Sequence, residues 1–360
     1  MKRVIQKLII PALALAFITS CKKDHVIKIA PPDKYENGFF IVNEGNFNHD
    51  HGGTITYYDY KTGTLTDSIF TKENPGKTFD PNTSSLEFGT IYNGSLYLLT
   101  KSGGPLVVAN PNSLKETGRI PAAPTNDWRA FVGVDKSTGL VSTGNGIYPI
   151  NLQSVALGAK LGSVNGEVGD MIRAGNYIFV LSATDGVDIL NASDYSIVKT
   201  IPGLGVGFAK TTDGAIWAAG GTQLVRIDPA TLDVQNITVP FTVYDSWYAW
   251  HQGSIVASTT ENAIYIVNNQ QYEGGTDIYK YTASNSNSFA KPFITVPTGE
   301  ETYGKGLGYD PKLNQLVVTT VHTNYDFNDN DLIFYNPTNG TLTKDITFIG
   351  NYFPAGPVFH

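Results

Sequence analysis

Short runs of β-branched and aromatic residues, separated by Gly, Asn and Asp, recur along this chain with a period of about 35 to 50 residues. The clearest copy covers 168–201, where GDMIRA, YIFVLSA, VDILNA and SIVKTI are parted by turn residues. Runs of this length and composition predict β-strands. Units of four strands at this period are typical of β-propeller blades. The pattern therefore predicts an all-β protein folded as a β-propeller, with a two-domain β-sandwich as the alternative.

Seven such units can be counted, and each is expected to form one four-stranded blade. Pro31 and Pro32 stand before the first unit, which lacks a run for its innermost strand. The C-terminal segment 354–360 reads as a strand, and we predict that it supplies this missing strand. Closure of this kind removes an exposed sheet edge. The seven units are Gly38–Phe70, Leu86–Ile120, Ala130–Val164, Val168–Ile201, Val206–Val239, Ser254–Val296 and Gly306–Ile349.

The connections on the two faces of the predicted propeller differ in composition. Turns joining first to second and third to fourth strands are short and built from Gly, Asn, Asp and Pro, so we expect no site on that turn face. The other connections are longer, and the densest is VYDSWYAWHQG at Val243–Gly253. Aromatic and histidine side chains in loops on a rigid scaffold indicate recognition. We call this side the loop face and expect it to bind a ligand.

The candidate binding residues are the aromatic, histidine and arginine side chains of the loop face. Within the densest loop, Trp247 and Tyr248 are expected to be exposed, whereas Trp250 is expected to be structural. Trp217, in the second strand of the fifth unit, is expected to pack between blades. The full candidate set is Phe47, His49, His51, Trp128, Arg129, Tyr244, Trp247, Tyr248, His251, Tyr303, His322, Tyr325 and Phe327.

Metal-binding signatures in the sequence are weak. His49 and His51 alternate along an extended segment and could be joined by His251 or His322, but zinc needs about four ligands. The segment 326–331 has oxygen-bearing side chains at alternate positions, as a calcium loop has, but lacks the glycine at its sixth position. We therefore expect no metal and no cofactor.

Catalytic signatures are also sparse, because neither Gly-x-Ser-x-Gly nor His-Glu-x-x-His occurs. Glu44, Glu300 and Glu301 are the candidate acid–base groups. We expect no catalytic residue. A hydrolase or lyase, the alternative, would need two or more acid–base groups within a few ångströms at the mouth: Glu44, His51, His251, Glu301 and His322.

The N-terminus reads as a secretory signal. Three cations precede an apolar run of eleven residues, Leu8–Ile18. That run is too short to span a bilayer, which needs about twenty residues. Cys21, the only cysteine, stands where a bacterial lipoprotein signal ends. We predict cleavage before Cys21 and acylation, which anchors the protein to a membrane. The predicted organisation is a signal at 1–20, a lipidated tether at 21–37 and a propeller at 38–360.

The amino-acid composition argues against nucleic acid as a partner. Charged residues make up 16% of the chain and the net charge is −7. Loss of the cationic signal leaves a more acidic protein, and an acidic domain is a poor nucleic-acid binder. With a single cysteine in the chain, no intramolecular disulfide can form.

The lipoprotein signal together with FFIVNEGN at 39–46, GSIVAS at 253–258, AIY at 263–265 and IYKY at 278–281 resembles the YncE-like propeller lipoproteins of Bacteroidota. The resemblance covers essentially the whole mature chain. That group includes the BtuG-type proteins, which capture cobalamin at the cell surface and sit on a TonB-dependent outer-membrane transporter.

The resemblance implies that this protein is an outer-membrane lipoprotein, exposed at the cell surface, that captures a corrinoid or similar nutrient. The periplasmic leaflet is the alternative location. A surface interaction scaffold is the alternative function. The candidate residues come from loop position and chemistry, not from the resemblance.

Overall fold

Strands in this protein carry apolar residues at successive positions because both of their faces are buried. Every residue of β1 (Gly38–Asn43) is buried. Its Phe39 and Ile41 belong to one hydrophobic cluster, whereas Phe40 and Val42 belong to another. Successive side chains of a strand point to opposite faces, so the sheet that contains β1 packs against a neighbouring sheet on each side.

The structure is a computed structural model that describes residues 34–45, 52–79, 81, 85–125, 127–247, 250–270, 274–323, 328–350 and 352–360. No helix among these residues is long and apolar enough to cross a membrane. They contain one short helix, α1 (Ile69–Glu73), which follows β2 (Thr54–Asp59) and β3 (Thr64–Thr66).

The remaining strands follow in chain order and group into successive blades. Blades two to four contain β4 (Leu86–Tyr92), β5 (Ser95–Thr100), β6 (Leu106–Ala109), β7 (Glu116–Ile120), β8 (Trp128–Gly133), β9 (Thr138–Thr143), β10 (Gly146–Asn151), β11 (Ala156–Leu157), β12 (Val168–Ala174), β13 (Tyr177–Ser182), β14 (Gly186–Asn191) and β15 (Ile197–Ile201). Blades five to seven and the closing strand contain β16 (Val206–Lys210), β17 (Ile216–Ile227), β18 (Val234–Val243), β19 (Ile255–Ala257), β20 (Ala263–Val267), β21 (Asp277–Thr282), β22 (Ile294–Thr295), β23 (Glu300–Asp310), β24 (Gln315–His322), β25 (Asp329–Tyr335), β26 (Leu342–Ile349) and β27 (Pro354–Phe359).

The strands form seven antiparallel sheets, which confirms the predicted seven-bladed propeller. Blade one has the order β27-β1-β2-β3, so the C-terminal strand closes the ring as predicted. In blade five the long β17 serves as both middle strands: its first part pairs with β16 and its second part with β18. Gly221, at positive φ, marks the change between the two parts.

Seven hydrophobic clusters hold the blades together, one between each pair of neighbours. Trp217 illustrates the arrangement, since its ring lies 5.5 Å from that of Tyr281 in blade six. Its Nε1 donates to Thr211 Oγ1 at 3.0 Å. The predicted interblade position of Trp217 is confirmed.

Several predicted element boundaries differ from those observed. Ile69 and Phe70, assigned to the first unit, lie in α1 and are buried, with the Phe70 ring 4.6 Å from that of Phe79. Blade one already receives its fourth strand from the C-terminus, so these apolar residues pack between blades one and two instead. Blades three and seven begin earlier than predicted, at Trp128 and Glu300, because the aromatic and acidic residues there were assigned to loops.

The closing strand should be essential for stability. Val358 is buried, and it and Val42 both pack against the backbone of Gly89. We expect Val358→Asp to lower the free energy of unfolding by several kcal/mol, because it buries a charge without a partner. Val198→Asp, at a position that is 45% exposed on β15, should change it by less than about 0.5 kcal/mol. Urea unfolding of both variants tests this, and equal effects would contradict the closure.

Candidate functional site

The connection between blades five and six, described at 244–247 and 250–252, reaches across the central channel on the loop face, and we call it the crossing loop. Trp250 directly precedes blade six, yet it is 3% exposed and belongs to the cluster between blades two and three. Lys101, directly after β5 in blade two, donates from Nζ to the Trp250 carbonyl oxygen at 2.6 Å. Blade six is three blades away from blade two around the ring, so a loop that joins them must cross the axis.

Gly169 and Arg129 hold the two tryptophans of this loop. A Cβ at Gly169 would lie 2.5 Å from Trp250 Nε1 and 3.1 Å from Trp247 Cη2, so the rings rest directly on the backbone of β12. The Arg129 guanidinium lies 5.7 Å from the centroid of the Trp247 ring and 5.8 Å from that of Trp250. A cation at this distance attracts an aromatic ring.

Two carboxylates fix the Arg129 guanidinium in turn. Its Nε donates to Asp127 Oδ2 at 2.9 Å and its Nη1 to Glu167 Oε2 at 3.2 Å. The predicted loop residue Trp247 is therefore clamped rather than free, with its ring half-buried against two interblade clusters.

Five titratable groups gather near this crossing loop, and we call them the mouth cluster: Glu44, Glu87, Lys101, His251 and Tyr303. Tyr303 donates its hydroxyl to Glu44 Oε2 at 2.9 Å, and Glu87 forms an ion pair with Lys101. Burial raises the pKa of Glu87 well above its ordinary value, and the nearby Glu44 charge raises it further. Burial also raises the pKa of Tyr303, and the Glu44 charge raises it further. Burial lowers the pKa of His251, and the Glu44 charge partly offsets that shift.

A central cavity of about 350 Å³ lies in the channel and extends toward the turn face. Its polar groups include Asp170, Gln252 and Lys305, and exposed Arg173 marks its turn-face end. Apolar side chains such as Phe88, Phe131 and Phe208 form much of the remaining wall. Apolar walls with a few converging polar groups are typical of small-molecule sites.

Burial shifts both charged groups inside the cavity. It raises the pKa of Asp170 and lowers that of Lys305, while each charge partly offsets the shift of the other. Asp170 is held by the backbone N–H groups of Met171 and Phe208, at 2.9 and 3.0 Å. The cavity was not expected, because the sequence analysis assigned no site to the turn face.

Of the sequence-predicted residues, the structure brings Arg129, Trp247, His251 and Tyr303 to the mouth of the channel. Tyr244 is 37% exposed on the same loop. Trp250 is buried, as expected. Phe47, His49, His51, Tyr248, Tyr325 and Phe327, together with the lipidation candidate Cys21, lie outside the described residues.

Two predicted residues lie away from the mouth surface. Trp128 is fully buried between blades two and three. His322 ends β24 in blade seven, where its Nε2 is 3.0 Å from Asp331 Oδ2. Of the candidate acid–base groups, Glu44 and His251 share the mouth cluster, whereas Glu300 lies beside His322.

Five residues of the mouth cluster and the cavity were not predicted from the sequence: Glu87, Lys101, Asp170, Gln252 and Lys305. A signal for two of them was present, since Glu87 and Asp170 interrupt apolar runs that became innermost strands. An acid inside an otherwise buried strand must find a polar environment, and the channel is the polar environment that an innermost strand can reach.

Comparison with known proteins identifies the family. Residues 37–360 match the model of DUF5074, described as a domain of unknown function. The chain belongs to the DUF5074 family. A search of curated proteins found no match for this DUF5074 protein.

Solved structures show the same fold. A quinonprotein alcohol dehydrogenase-like protein from Bacteroides thetaiotaomicron aligns with a TM-score of 0.72 at 21% identity, over 90% of this chain and 78% of that one. A periplasmic gluconolactonase from Pseudomonas aeruginosa aligns with a TM-score of 0.62 at 13% identity, over 89% and 98%. A protein from Lactobacillus plantarum aligns with a TM-score of 0.61 at 14% identity, over 88% and 98%.

The contact of Trp247 and Trp250 with the backbone of Gly169 can be tested by substituting Gly169 with alanine, which adds one methyl group. We expect Gly169→Ala to displace Trp247 and Trp250, to shift tryptophan emission to longer wavelength, and to cost about 1–3 kcal/mol of stability. Gly162→Ala is the matched control, because a Cβ there meets nothing within 4 Å. An unchanged emission maximum in Gly169→Ala would show that the rings do not rest on β12.

The lowered pKa of His251 predicts a pH effect. A depressed pKa in the folded state contributes stability above the unfolded value near 6.5, and this stability is lost as pH falls toward the folded value. Between pH 7.5 and 5.0, wild type should therefore lose more stability than His251→Gln, in which this group no longer titrates. Chemical unfolding at both pH values measures the difference; parallel losses would mean that His251 titrates as an exposed histidine.

Proposed function

We propose that this DUF5074 protein is a lipid-anchored, non-enzymatic binding protein of the cell envelope that captures a small molecule on its loop face. The observation that carries the proposal is the fixed position of Trp247 at the centre of that face. Its ring is held by Arg129 and Gly169 before any ligand arrives. A surface that is already ordered loses little conformational entropy on binding.

The groups around Trp247 suit a large ligand with both apolar surface and polar edges. Tyr244 and Asp245 are exposed beside it. The Glu167 side chain, which binds Arg129, remains 48% exposed. Aromatic rings supply apolar contact, and carboxylates accept hydrogen bonds from amides. A corrinoid offers both features, because amides surround its macrocycle.

A corrinoid is too large for the central cavity, which fixes where it would bind. The cavity, of about 350 Å³, lies at the lower end of the roughly 300–1,000 Å³ that holds a drug-sized molecule. A corrinoid is larger than a drug-sized molecule, so it would lie over Trp247 on the loop face rather than enter the cavity. Within this proposal, acylated Cys21 anchors the protein to the outer membrane, exposed at the cell surface, and the ligand passes to a TonB-dependent transporter.

A second candidate function, hydrolysis or lyase chemistry, is supported by the mouth cluster. Burial moves the pKa values of Glu87 and His251 in opposite directions, and perturbed groups of this kind concentrate at catalytic sites. The structurally similar Pseudomonas protein is described as a gluconolactonase.

Calorimetric titration with cyanocobalamin tests the binding proposal. We expect a dissociation constant in the nanomolar range for wild type. Loss of a central aromatic anchor costs about 2 kcal/mol or more, so Trp247→Ala should weaken binding about 30-fold or more. Tyr244→Ala, at an exposed position, should weaken it less. Tyr279→Ala is the control, because this tyrosine lies in the third strand of blade six and packs against the cluster between blades five and six, which Trp247 does not contact.

The outcomes separate the candidate functions. Absence of heat at tens of micromolar cyanocobalamin would reject the corrinoid. Glucono-lactone hydrolysis by wild type, lost in His251→Gln, would then favour the enzyme. Absence of both would favour the interaction scaffold. Circular dichroism melting curves of each variant separate loss of binding from loss of fold.

A further inference from the structure

Three potential metal ligands lie on adjacent strands of blade seven, apart from the mouth cluster. Glu300 begins β23, His322 ends β24 and Asp331 is in β25. The register sets Glu300 opposite His322 and Asp331 opposite Thr320. Paired residues share a face of the sheet, as do residues two apart in one strand. All three side chains therefore point to the same side of the blade.

The distances fit ligation of one ion. One nitrogen or oxygen from each of the three residues lies within 4.8 Å of the others, and His322 Nε2 is 3.0 Å from Asp331 Oδ2. Bonds of about 2.0–2.2 Å to zinc place neighbouring ligand atoms roughly 3.3 Å apart. Small rotations of side chains would bring the set to that spacing, and the His322 side chain, 31% exposed, has room to move.

Charge and burial give an independent reason for a cation at this place. Glu300 is 8% exposed and Asp331 3% exposed. Among the described residues, only His322 forms an ion pair with either carboxylate, and no described donor reaches the second oxygen of Glu300. Buried carboxylates without a counter-ion are costly. An ion between them would remove that cost.

Two hydroxyl groups hold the carboxylates in place. Thr320 Oγ1 donates to Glu300 Oε2 at 2.7 Å, and Thr347 Oγ1 donates to Asp331 Oδ1 at 2.6 Å. Outer hydrogen bonds of this kind orient ligands in metal sites. They leave Asp331 Oδ2 free to contact the imidazole, and one oxygen of Glu300 lies within 4.8 Å of the ligand atoms of the other two residues.

We propose that Glu300, His322 and Asp331 bind a divalent transition-metal ion, with zinc as the preferred ion. One imidazole and two carboxylates supply three protein ligands and leave the fourth position of a zinc site open. Calcium and magnesium prefer sets made of oxygen only. The ion would tie three strands of blade seven together at the loop face. This site differs from both metal candidates of the sequence analysis, although it uses His322 from one and Asp331 from the other.

Zinc chloride titration of the chelator-treated full chain by calorimetry tests the site. We expect one equivalent to bind with a dissociation constant of micromolar or tighter, calcium chloride to bind at least 100-fold more weakly, and the melting temperature to rise with zinc. His322→Ala and Glu300→Gln should each weaken zinc binding at least 10-fold. His360→Ala, which removes an exposed histidine, should leave it unchanged.

Two further measurements make the assignment specific. Cobalt substituted for zinc should give a visible absorption band that His322→Ala abolishes. The double variant His49→Ala/His51→Ala should retain one equivalent of zinc. The site would be overturned if wild type bound no zinc at 100-fold excess, if Glu300→Gln and His322→Ala bound it normally, or if the double variant lost it. His322→Ala removes only a partly exposed side chain, so its circular dichroism spectrum should match wild type.

Discussion

The centre of this propeller depends on the contact between Trp250 and Gly169. Any side chain at position 169 would collide with the indole, so the absence of a Cβ lets the crossing loop pack on β12. When the Trp250 indole packs on Gly169, the Trp250 carbonyl oxygen is within reach of Lys101 in blade two, three blades away from blade six around the propeller. Trp247, Arg129 and the mouth cluster then take their positions around the loop. The contact converts a long connection into part of the core.

This arrangement divides the channel into two chemically different parts. On the loop face, the rings of Trp247 and Trp250 and the guanidinium of Arg129 lie beside the mouth cluster. Toward the turn face, the cavity presents Asp170 and Lys305 among apolar walls. Both parts contain groups whose pKa is shifted by burial, which costs stability and is common where proteins bind or react. A large ligand can use the first part without entering the second.

The sequence was sufficient for the architecture because each blade is a local unit. Strand composition, turn residues and the missing innermost strand of blade one led directly to the ring and its closure. The site was harder to predict, since it depends on contacts between distant positions: Lys101 and Trp250 are 149 residues apart. Trp128 illustrates the difficulty. It was assigned to a loop, but it begins β8 and its ring is fully buried.

A crystal structure of the protein bound to cyanocobalamin would test the proposed binding mode most directly. We expect the corrin ring to lie over Trp247 on the loop face, with Trp250 still packed on Gly169 and no corrin atoms in the central cavity. A corrinoid that displaced the crossing loop, or that bound through the turn face beside Asp170 and Lys305, would contradict it.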